Sequence, residues 1–206
     1  MSDALAELLR HPGLWRGGDA GAPETIPTGF RALDAELPGG GWPLATLIEL
    51  LVPAAGIGEV RLLLPALRRL TAAAEPPRWV AWLAPPHMPY APALADAGLD
   101  PARMLVIRPR AGVDRLWAME QALRSGACAS VLGWAGPAHD SALRRVKLAA
   151  EEGATPAFLL RSPAHRGDPS PAALRLALSA RDYGLDVEIL KSRGGGPARI
   201  ERLPIH

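Results

Sequence analysis

The sequence predicts an α/β fold in which a mostly parallel central sheet is flanked by helices, with a C-terminal antiparallel extension and an N-terminal helical arm. Near-continuous apolar runs alternate with amphipathic stretches between residues 46 and 161, which is typical of buried parallel strands joined by helices. After Ser170 apolar and polar residues alternate without an intervening helical stretch, which predicts antiparallel strands. With 206 residues, 49% of them hydrophobic, the chain can bury one sizeable core.

The N-terminal arm is predicted from "SDALAELLRHPGLW", which runs from Ser2 to Trp15. A Ser or Asp cap begins a short helix that carries leucines on one face, so the helix is amphipathic. The turn-rich stretch "RGGDAGAPETIPTG" then reads as a tether. We therefore divide the chain into an N-terminal helix and tether, residues 1–25, and a core, residues 26–206.

The core begins with two helical turns in "FRALDAEL", closed by the turn sequence "PGGGWP". Predicted strands then cover residues 46–52, 78–84, 104–109, 128–135 and 155–161. Predicted helices between them cover residues 59–74, 89–97, 114–126 and 139–153. Three short strands complete the chain in "AALRLALSARDYGLDVEILKS" and "ARIERLPI", the first two joined by a "DYG" turn.

Composition excludes several classes of function and leaves others open. A net charge of +2 and a pI near 9.1 permit an anionic partner without requiring one. The single cysteine, Cys128, excludes a disulfide framework, and the five histidines lack the spacing of metal ligands. We expect no metal site. The chain shows no signal peptide and no membrane-spanning run, so we expect a cytoplasmic protein that does not bind membranes.

The stretch "LLVPAAGIGEVRLLL" has the position of a phosphate-binding P-loop, between a strand and a helix. On the P-loop pattern its four key positions are held by Pro53, Gly58, Glu59 and Val60. Pro53 has no N–H to offer, Glu59 replaces the lysine with a negative charge, and Val60 has no oxygen for Mg²⁺. The sequence therefore predicts a turn kept for the fold, with no nucleotide cofactor.

Two longer stretches carry a resemblance to a known family. "IPTGFRALDAELPGGGWPLATLIELLVPAAGIGEV" resembles the beginning of the RecA core, and "ALRLALSARDYGLDVEILKSRGGGPARIERL" resembles the RecA hairpin that follows its second DNA-binding loop. The resemblance covers residues 26–203. The whole is similar to the ImuA family, RecA-like and SulA-related proteins of bacterial mutagenesis cassettes. It implies a RecA-like core. The related SulA proteins, RecA-like inhibitors of the division protein FtsZ, are the alternative.

The resemblance also implies a function without catalysis. A RecA-type fourth strand ends in an acid that serves the magnesium ion, whereas "SVLGWAG" places Gly133 and Trp134 there. The catalytic glutamate of the family falls at Ala54 or Ala55. The chain is therefore expected not to be an enzyme.

ImuA proteins serve damage-induced mutagenic translesion DNA synthesis, and this chain is expected to act there as an accessory. Its implied partners are a Y-family-like polymerase homologue, RecA, the error-prone polymerase alpha subunit and a second copy of itself. The alternative is SulA-like inhibition of FtsZ polymerisation and cell division.

Candidate partner-binding residues are Leu5, Leu8, Leu9, Trp15 and Trp42. The first four lie in the arm, which in RecA-like proteins reaches a neighbouring core, so these residues dock on a neighbour or fold back on their own domain. Trp42 lies in a turn before the first core strand, where it is an exposed anchor or packs under the loop.

Candidate DNA-contacting residues follow the fifth strand, where RecA carries its second DNA-contacting loop. They are Arg161, His165, Arg166, Lys191 and Arg193. Their cationic side chains suit phosphates. The alternative is a solvated loop, since the segment "RSPAHRGDPSP" carries a compensating acid and no aromatic residue to stack on bases.

Overall fold

An eight-stranded mixed sheet runs through the computed structural model, which describes residues 24–72, 76–110 and 115–205. The strands in the described residues are β1 (Thr25–Ile26), β2 (Trp42–Pro43), β3 (Leu47–Leu51), β4 (Trp79–Leu83), β5 (Met104–Ile107), β6 (Cys128–Trp134), β7 (Ala157–Arg161), β8 (Leu174–Arg181), β9 (Gly184–Ser192) and β10 (Ala198–Leu203). The helices there are α1 (Arg31–Glu36), α2 (Glu59–Ala72), α3 (Ala91–Asp96), α4 (Arg115–Arg124) and α5 (Asp140–Glu152).

The order of strands in the sheet is β10-β9-β8-β3-β7-β6-β4-β5. All pairs from β8 to β5 are parallel, whereas β8–β9 and β9–β10 are antiparallel. The strands β1 and β2 form a separate two-stranded antiparallel sheet. The open edges of the large sheet are therefore β5 and β10.

The predicted fold class, a RecA-like core with an appended C-terminal extension, is wrong. The sheet is mixed, and its antiparallel part is integral to it: β8 pairs with the central strand β3 on one side and with β9 on the other. Leu176, Leu178 and Val187 of these strands are buried in the same core as α2. The predicted arm, with Leu5, Leu8, Leu9 and Trp15, lies outside the described residues.

Two apolar layers cover the two faces of the sheet. On one face, Leu62, Leu63 and Leu67 of α2 pack with Ile48 and Leu50 of β3. On the other face, α4 and α5 pack against strands that include β3 and β4. Each strand serves both layers because successive side chains point to opposite faces. None of the helices in the described ranges combines the length and the apolarity needed to cross a membrane.

Since β3, β4, β6 and β7 are parallel, their carboxyl ends meet at one edge of the sheet. Loops that follow parallel strands at this edge commonly carry binding sites. The loop between β3 and α2 and the loop after β7 both lie there, which brings the degenerate P-loop close to the predicted DNA-contacting segment.

Candidate functional site

The loop between β3 and α2 holds its own carboxylate where a P-loop would hold phosphate. The Glu59 side chain, only 3% exposed, accepts hydrogen bonds from the backbone N–H of Gly56 (2.9 and 3.1 Å) and of Gly58 (3.1 Å). It also lies at the N-terminus of α2, where the helix dipole favours a negative charge. Two backbone donors of the loop are thus engaged within the chain, and a phosphate there would meet a fixed negative charge.

The C-terminal residues close the same loop from one side. Gly58 has φ of +112°, a conformation that side chains rarely adopt, and a Cβ at this position would overlap Cδ1 of Ile205. Ile205 is buried and belongs to the core that α2 covers. The end of the chain therefore fixes the shape of the loop, a contact between residues far apart in sequence.

A cleft of about 310 Å³ opens beside this loop at the carboxyl edge of the sheet. Pro53, Ala54 and Ala55 form one wall, and Trp134 at the end of β6 forms another. Trp134 stacks on Trp82 with ring centroids 5.8 Å apart, so the position where a RecA-type strand carries an acid is held by aromatic packing.

Acidic side chains are missing from the described lining of the cleft. The residues that line it in the described ranges include two arginines and no carboxylate. Over the same ranges no group of three or more histidine, cysteine, aspartate or glutamate side chains is placed to hold a metal ion.

A buried ion triad lies behind the cleft and was not predicted from the sequence. Glu49 in β3 is fully buried, and its carboxylate accepts from Nη1 of Arg161 at 2.7 Å and from Nε of Arg175 at 2.6 Å. A charge is found in a core only when it is paired and hydrogen-bonded. The signal available in the sequence was one glutamate inside the apolar run "LIELL".

The triad organises the loop after β7. Arg175 donates through Nη2 to the carbonyl of His165 at 2.9 Å and through Nη1 to the carbonyl of Asp168 at 3.2 Å. The carboxylate of Asp168 in turn lies 2.8 Å from Nδ1 of His165. The loop conformation therefore depends on a guanidinium that is itself held by Glu49.

The structure corrects the position expected for Arg161. Its side chain is fully buried and bonded to Glu49 and to the carbonyl of Gly136, so its guanidinium is not presented to a phosphate at the surface. The Nη2 atom has no hydrogen-bond partner and lies 3.6 Å from Asp168 Oδ2.

The other predicted DNA-contacting residues lie near that loop and are mostly engaged. Arg166 forms a two-fold hydrogen bond with Glu188 at 2.8 and 2.5 Å, which lowers the pKa of that carboxyl. Lys191 donates to the carbonyl of Ser170 at 2.9 Å. Burial, followed by the charge of Arg175, lowers the pKa of Lys191. Arg193 is exposed. DNA binding by these residues stays a prediction.

Trp42 is corrected to a core residue. Its side chain is fully buried and meets Phe158 of β7 edge to face, with ring centroids 5.5 Å apart. The short pairing of β1 with β2 holds it there, with Ile26 opposite Trp42. The turn "PGGGWP" therefore places Trp42 in the core. Trp42 is not an exposed anchor, and the alternative in which it packs under the loop holds.

Large apolar side chains are exposed elsewhere in the described residues. Trp117 of α4 and Leu148 of α5 are each 52% exposed. Ion pairs join these two neighbouring helices, Arg145 with Glu120 at 3.2 Å and Arg124 with Glu152 at 3.1 Å. At the end of the sheet, Trp79 and Leu105 are each 43% exposed.

The family model described as "Cell division inhibitor SulA" matches residues 53–157, about half of the chain. That range begins at the degenerate P-loop and includes both helices that carry the exposed Trp117 and Leu148.

Similar curated proteins carry the same name. The cell division inhibitor SulA of Edwardsiella piscicida is 34% identical over 99 residues, covering 48% of this chain and 57% of that protein. SulA of Serratia marcescens is 32% identical over 110 residues, covering 51% and 64%. The chain thus spans about three fifths of the length of these relatives.

A solved structure is also similar. The crystal structure of SulA from Pseudomonas aeruginosa shares 28% identity, covers 56% of this chain and 97% of that chain, and gives a TM-score of 0.46. Its match covers little more than half of the chain described above.

Proposed function

Because the chain belongs to the SulA family of cell division inhibitors, we propose that it inhibits cell division without catalysis, by binding FtsZ and blocking its polymerisation. FtsZ is the target that a resemblance to SulA implies. The observation that carries the proposal is the position of the exposed apolar side chains. Of the seven large ones in the described residues, six lie inside the family-matched range and only Tyr183 lies outside it.

The proposed contact surface is the outer side of α4 and α5, with Trp117 and Leu148 as its apolar anchors. Tryptophan is enriched among residues that dominate binding energy in protein interfaces. Two ion pairs link α4 to α5, so the two anchors lie on helices that are joined to each other. This reduces the entropy lost on binding.

The absence of catalysis is part of the proposal and is supported by the loop before α2. Glu59 occupies two backbone donors of the loop in which a P-loop would bind phosphate, and the cleft beside the loop is lined by no carboxylate among the described residues. Inhibition by binding alone needs neither a phosphate-binding loop nor a carboxylate in the cleft.

A polymerisation assay tests the proposal. Purified FtsZ is polymerised with GTP and followed by light scattering and by sedimentation, with and without the full chain at increasing ratios. We expect a dose-dependent loss of polymer that approaches completion near equimolar chain. Unchanged polymerisation in the presence of excess folded chain would contradict the proposal.

A second candidate function is the one implied by the ImuA resemblance, a non-catalytic accessory of mutagenic translesion synthesis. The observation that favours it is the part of the sheet outside the family match. Strands β3, β8, β9 and β10, half of the eight-stranded sheet, lie wholly outside residues 53–157. Of these strands, β10 forms an open edge of the sheet and has Arg199, Glu201 and Arg202 exposed, which gives room for contacts beyond those of the matched range.

A pull-down from DNA-damaged cells separates the two candidates. Recovery of a Y-family-like polymerase homologue, RecA or the error-prone polymerase alpha subunit supports the accessory function. Recovery of FtsZ, together with inhibition in the polymerisation assay, supports division control.

A further inference from the structure

We propose that a groove between α2, residues 29–32 and the C-terminal strand end binds an acidic segment of a partner protein that carries apolar anchor residues. The groove has a volume of about 620 Å³. It lies apart from the cleft at the carboxyl edge and shares no lining residue with it. It also lies apart from Trp117 and Leu148, so the inference goes beyond the proposed function.

The floor of the groove is apolar. Phe30, Leu64 and Pro65 are partly buried, and Leu203 of β10 is buried beneath them. Apolar side chains of a ligand that cover this floor leave water together with it, which favours binding. The groove therefore suits a segment that carries apolar anchors.

The rim of the groove is cationic. Arg31, Arg61 and Arg68 line it and are exposed, and no acidic residue is among its described lining residues. None of the three arginines forms an ion pair or a side-chain hydrogen bond with a described residue. Two acids close to the rim in sequence are engaged elsewhere. Asp34 accepts a hydrogen bond from the backbone N–H of Thr28 at 2.8 Å, and Glu59 accepts from the backbone N–H groups of Gly56 and Gly58.

Arg68 is positioned by its surroundings. Its side chain crosses the Cα of Gly98 so closely that a Cβ there would lie 2.7 Å from Cδ of Arg68. A guanidinium matches a carboxylate with two parallel hydrogen bonds. Three guanidiniums around an apolar floor are complementary to carboxylates that flank apolar side chains.

The groove is assembled from two parts of the chain. Arg61, Leu64 and Arg68 lie inside the family-matched range, whereas Phe30 and Leu203 lie outside it. The binding site therefore depends on sheet and loop segments that the matched range does not contain.

Selection from a display library of random 12-residue peptides tests this inference, with the full chain as the immobilised target. We expect the enriched peptides to combine Asp or Glu with Leu, Ile or aromatic residues, and their affinity to fall as salt rises. Replacing the acidic residues of an enriched peptide with Asn or Gln should weaken binding about tenfold or more. Enrichment without acidic residues, or no enrichment, would overturn the inference.

A matched pair of variants locates the site. Arg68→Glu reverses one rim charge and should weaken the enriched peptides at least tenfold. Arg69→Glu makes the same change on the next residue of α2, which is exposed and does not line the groove, and should leave affinity within about twofold. Equal effects of the two variants would place the peptides elsewhere and overturn the inference.

Two other occupants are outcomes of the same experiment. If the Leu5→Glu/Leu8→Glu/Leu9→Glu variant binds acidic peptides that the natural chain does not, the chain's own N-terminal segment occupies the groove. If Arg68→Glu, but not Arg69→Glu, converts a dimer to a monomer in sedimentation velocity, a second copy occupies it. Either result contradicts a partner protein as the occupant. Because FtsZ takes no part in these measurements, their failure is distinct from failure of the proposed function.

Discussion

Glu49 and Arg161, 112 positions apart in the sequence, form an ion pair of 2.7 Å in which both side chains are fully buried. Arg175 binds the second oxygen of the same carboxylate at 2.6 Å. One negative charge therefore serves two buried positive charges. The arrangement ties β3, β7 and β8 together and, through Arg175, fixes the loop that follows β7.

Replacing Glu49 by Gln should destabilise the protein by about 3–5 kcal/mol, because both arginines keep their charge and lose their buried partner. Urea unfolding followed by circular dichroism measures the change. Asp140→Asn is the control, since Asp140 pairs with Arg144 on an exposed surface and its loss should cost about 1 kcal/mol or less. A Glu49→Gln effect no larger than that of the control would contradict a structural role for the triad.

The contact between Gly58 and Ile205 predicts a difference between two glycines of the same loop. Gly58→Ala adds a methyl group that overlaps Ile205, whereas Gly56→Ala, also at positive φ, meets no atom within 4 Å. Both variants carry backbone strain of about 1–2 kcal/mol, and Gly58→Ala should lose about 1–3 kcal/mol more through overpacking.

Thermal unfolding measures both variants. The double variant Gly58→Ala/Ile205→Ala should be less perturbed than the sum of its single changes, since removing the isoleucine side chain makes room for the methyl group. Strict additivity would show that the end of the chain does not cover the loop.

Much of the secondary structure could be predicted from the sequence, because apolar runs and amphipathic periods are local signals. The predicted helix over residues 59–74 corresponds to α2, Glu59–Ala72 in the described residues, and the predicted strand over residues 155–161 corresponds to β7. These predictions are confirmed. The fold class was wrong because it depends on which strands become neighbours, and pairing of β8 with β3 joins segments about 126 residues apart.

The site was predicted less completely, for the same reason. Glu49 is marked in the sequence only as a charge in an apolar run, and no local pattern points to its two arginines. A loop follows Arg161, which favours a surface cation, but all five residues of β7 are buried and Arg161 is among them. Local patterns predict a strand and the charged residues on it. Whether such a charged side chain is buried depends on partners far away in the sequence, as Glu49 and Arg161 show.

Neither the natural chain nor a lysine variant of its degenerate loop should bind ATP. Glu59→Lys restores the charge expected in a P-loop, but Pro53 still lacks an N–H and Val60 still lacks a hydroxyl for Mg²⁺. Isothermal titration calorimetry with ATP and Mg²⁺ should give no binding heat for the natural chain or for Glu59→Lys. Glu59→Gln, which keeps the shape of the side chain, serves as a folded control. Micromolar binding by the natural chain would show that the loop still accepts phosphate.

The stability of the C-terminal hairpin should depend on pH through Asp186. The side-chain hydrogen bond from Arg181 is the main cause of its lowered pKa, followed by the backbone N–H of Arg202. Because the pKa is lower in the folded than in the unfolded protein, this stabilisation is complete above about pH 4 and is lost as the pH falls through the folded value.

Urea unfolding at several pH values tests whether the stabilisation by Asp186 is lost as the pH falls. The natural chain should lose stability between about pH 4 and pH 2 more steeply than Asp186→Asn, which cannot titrate. At neutral pH Asp186→Asn should be the less stable of the two. Equal slopes in this acid range would mean that Asp186 does not contribute to acid sensitivity.

Trp117→Ala should weaken the inhibition of FtsZ polymerisation without unfolding the chain. The side chain is about half exposed, so its loss removes little core packing, whereas truncation of a tryptophan anchor in an interface typically costs about 2 kcal/mol or more. That energy corresponds to a concentration for half-inhibition about 30-fold higher. Tyr183→Ala is the matched control, because Tyr183 is the most exposed large apolar side chain among the described residues and lies outside the family-matched range. The control should inhibit like the natural chain. If Tyr183→Ala loses inhibition and Trp117→Ala keeps it, the contact surface lies on the C-terminal hairpin, and the helices α4 and α5 are not the inhibitory face.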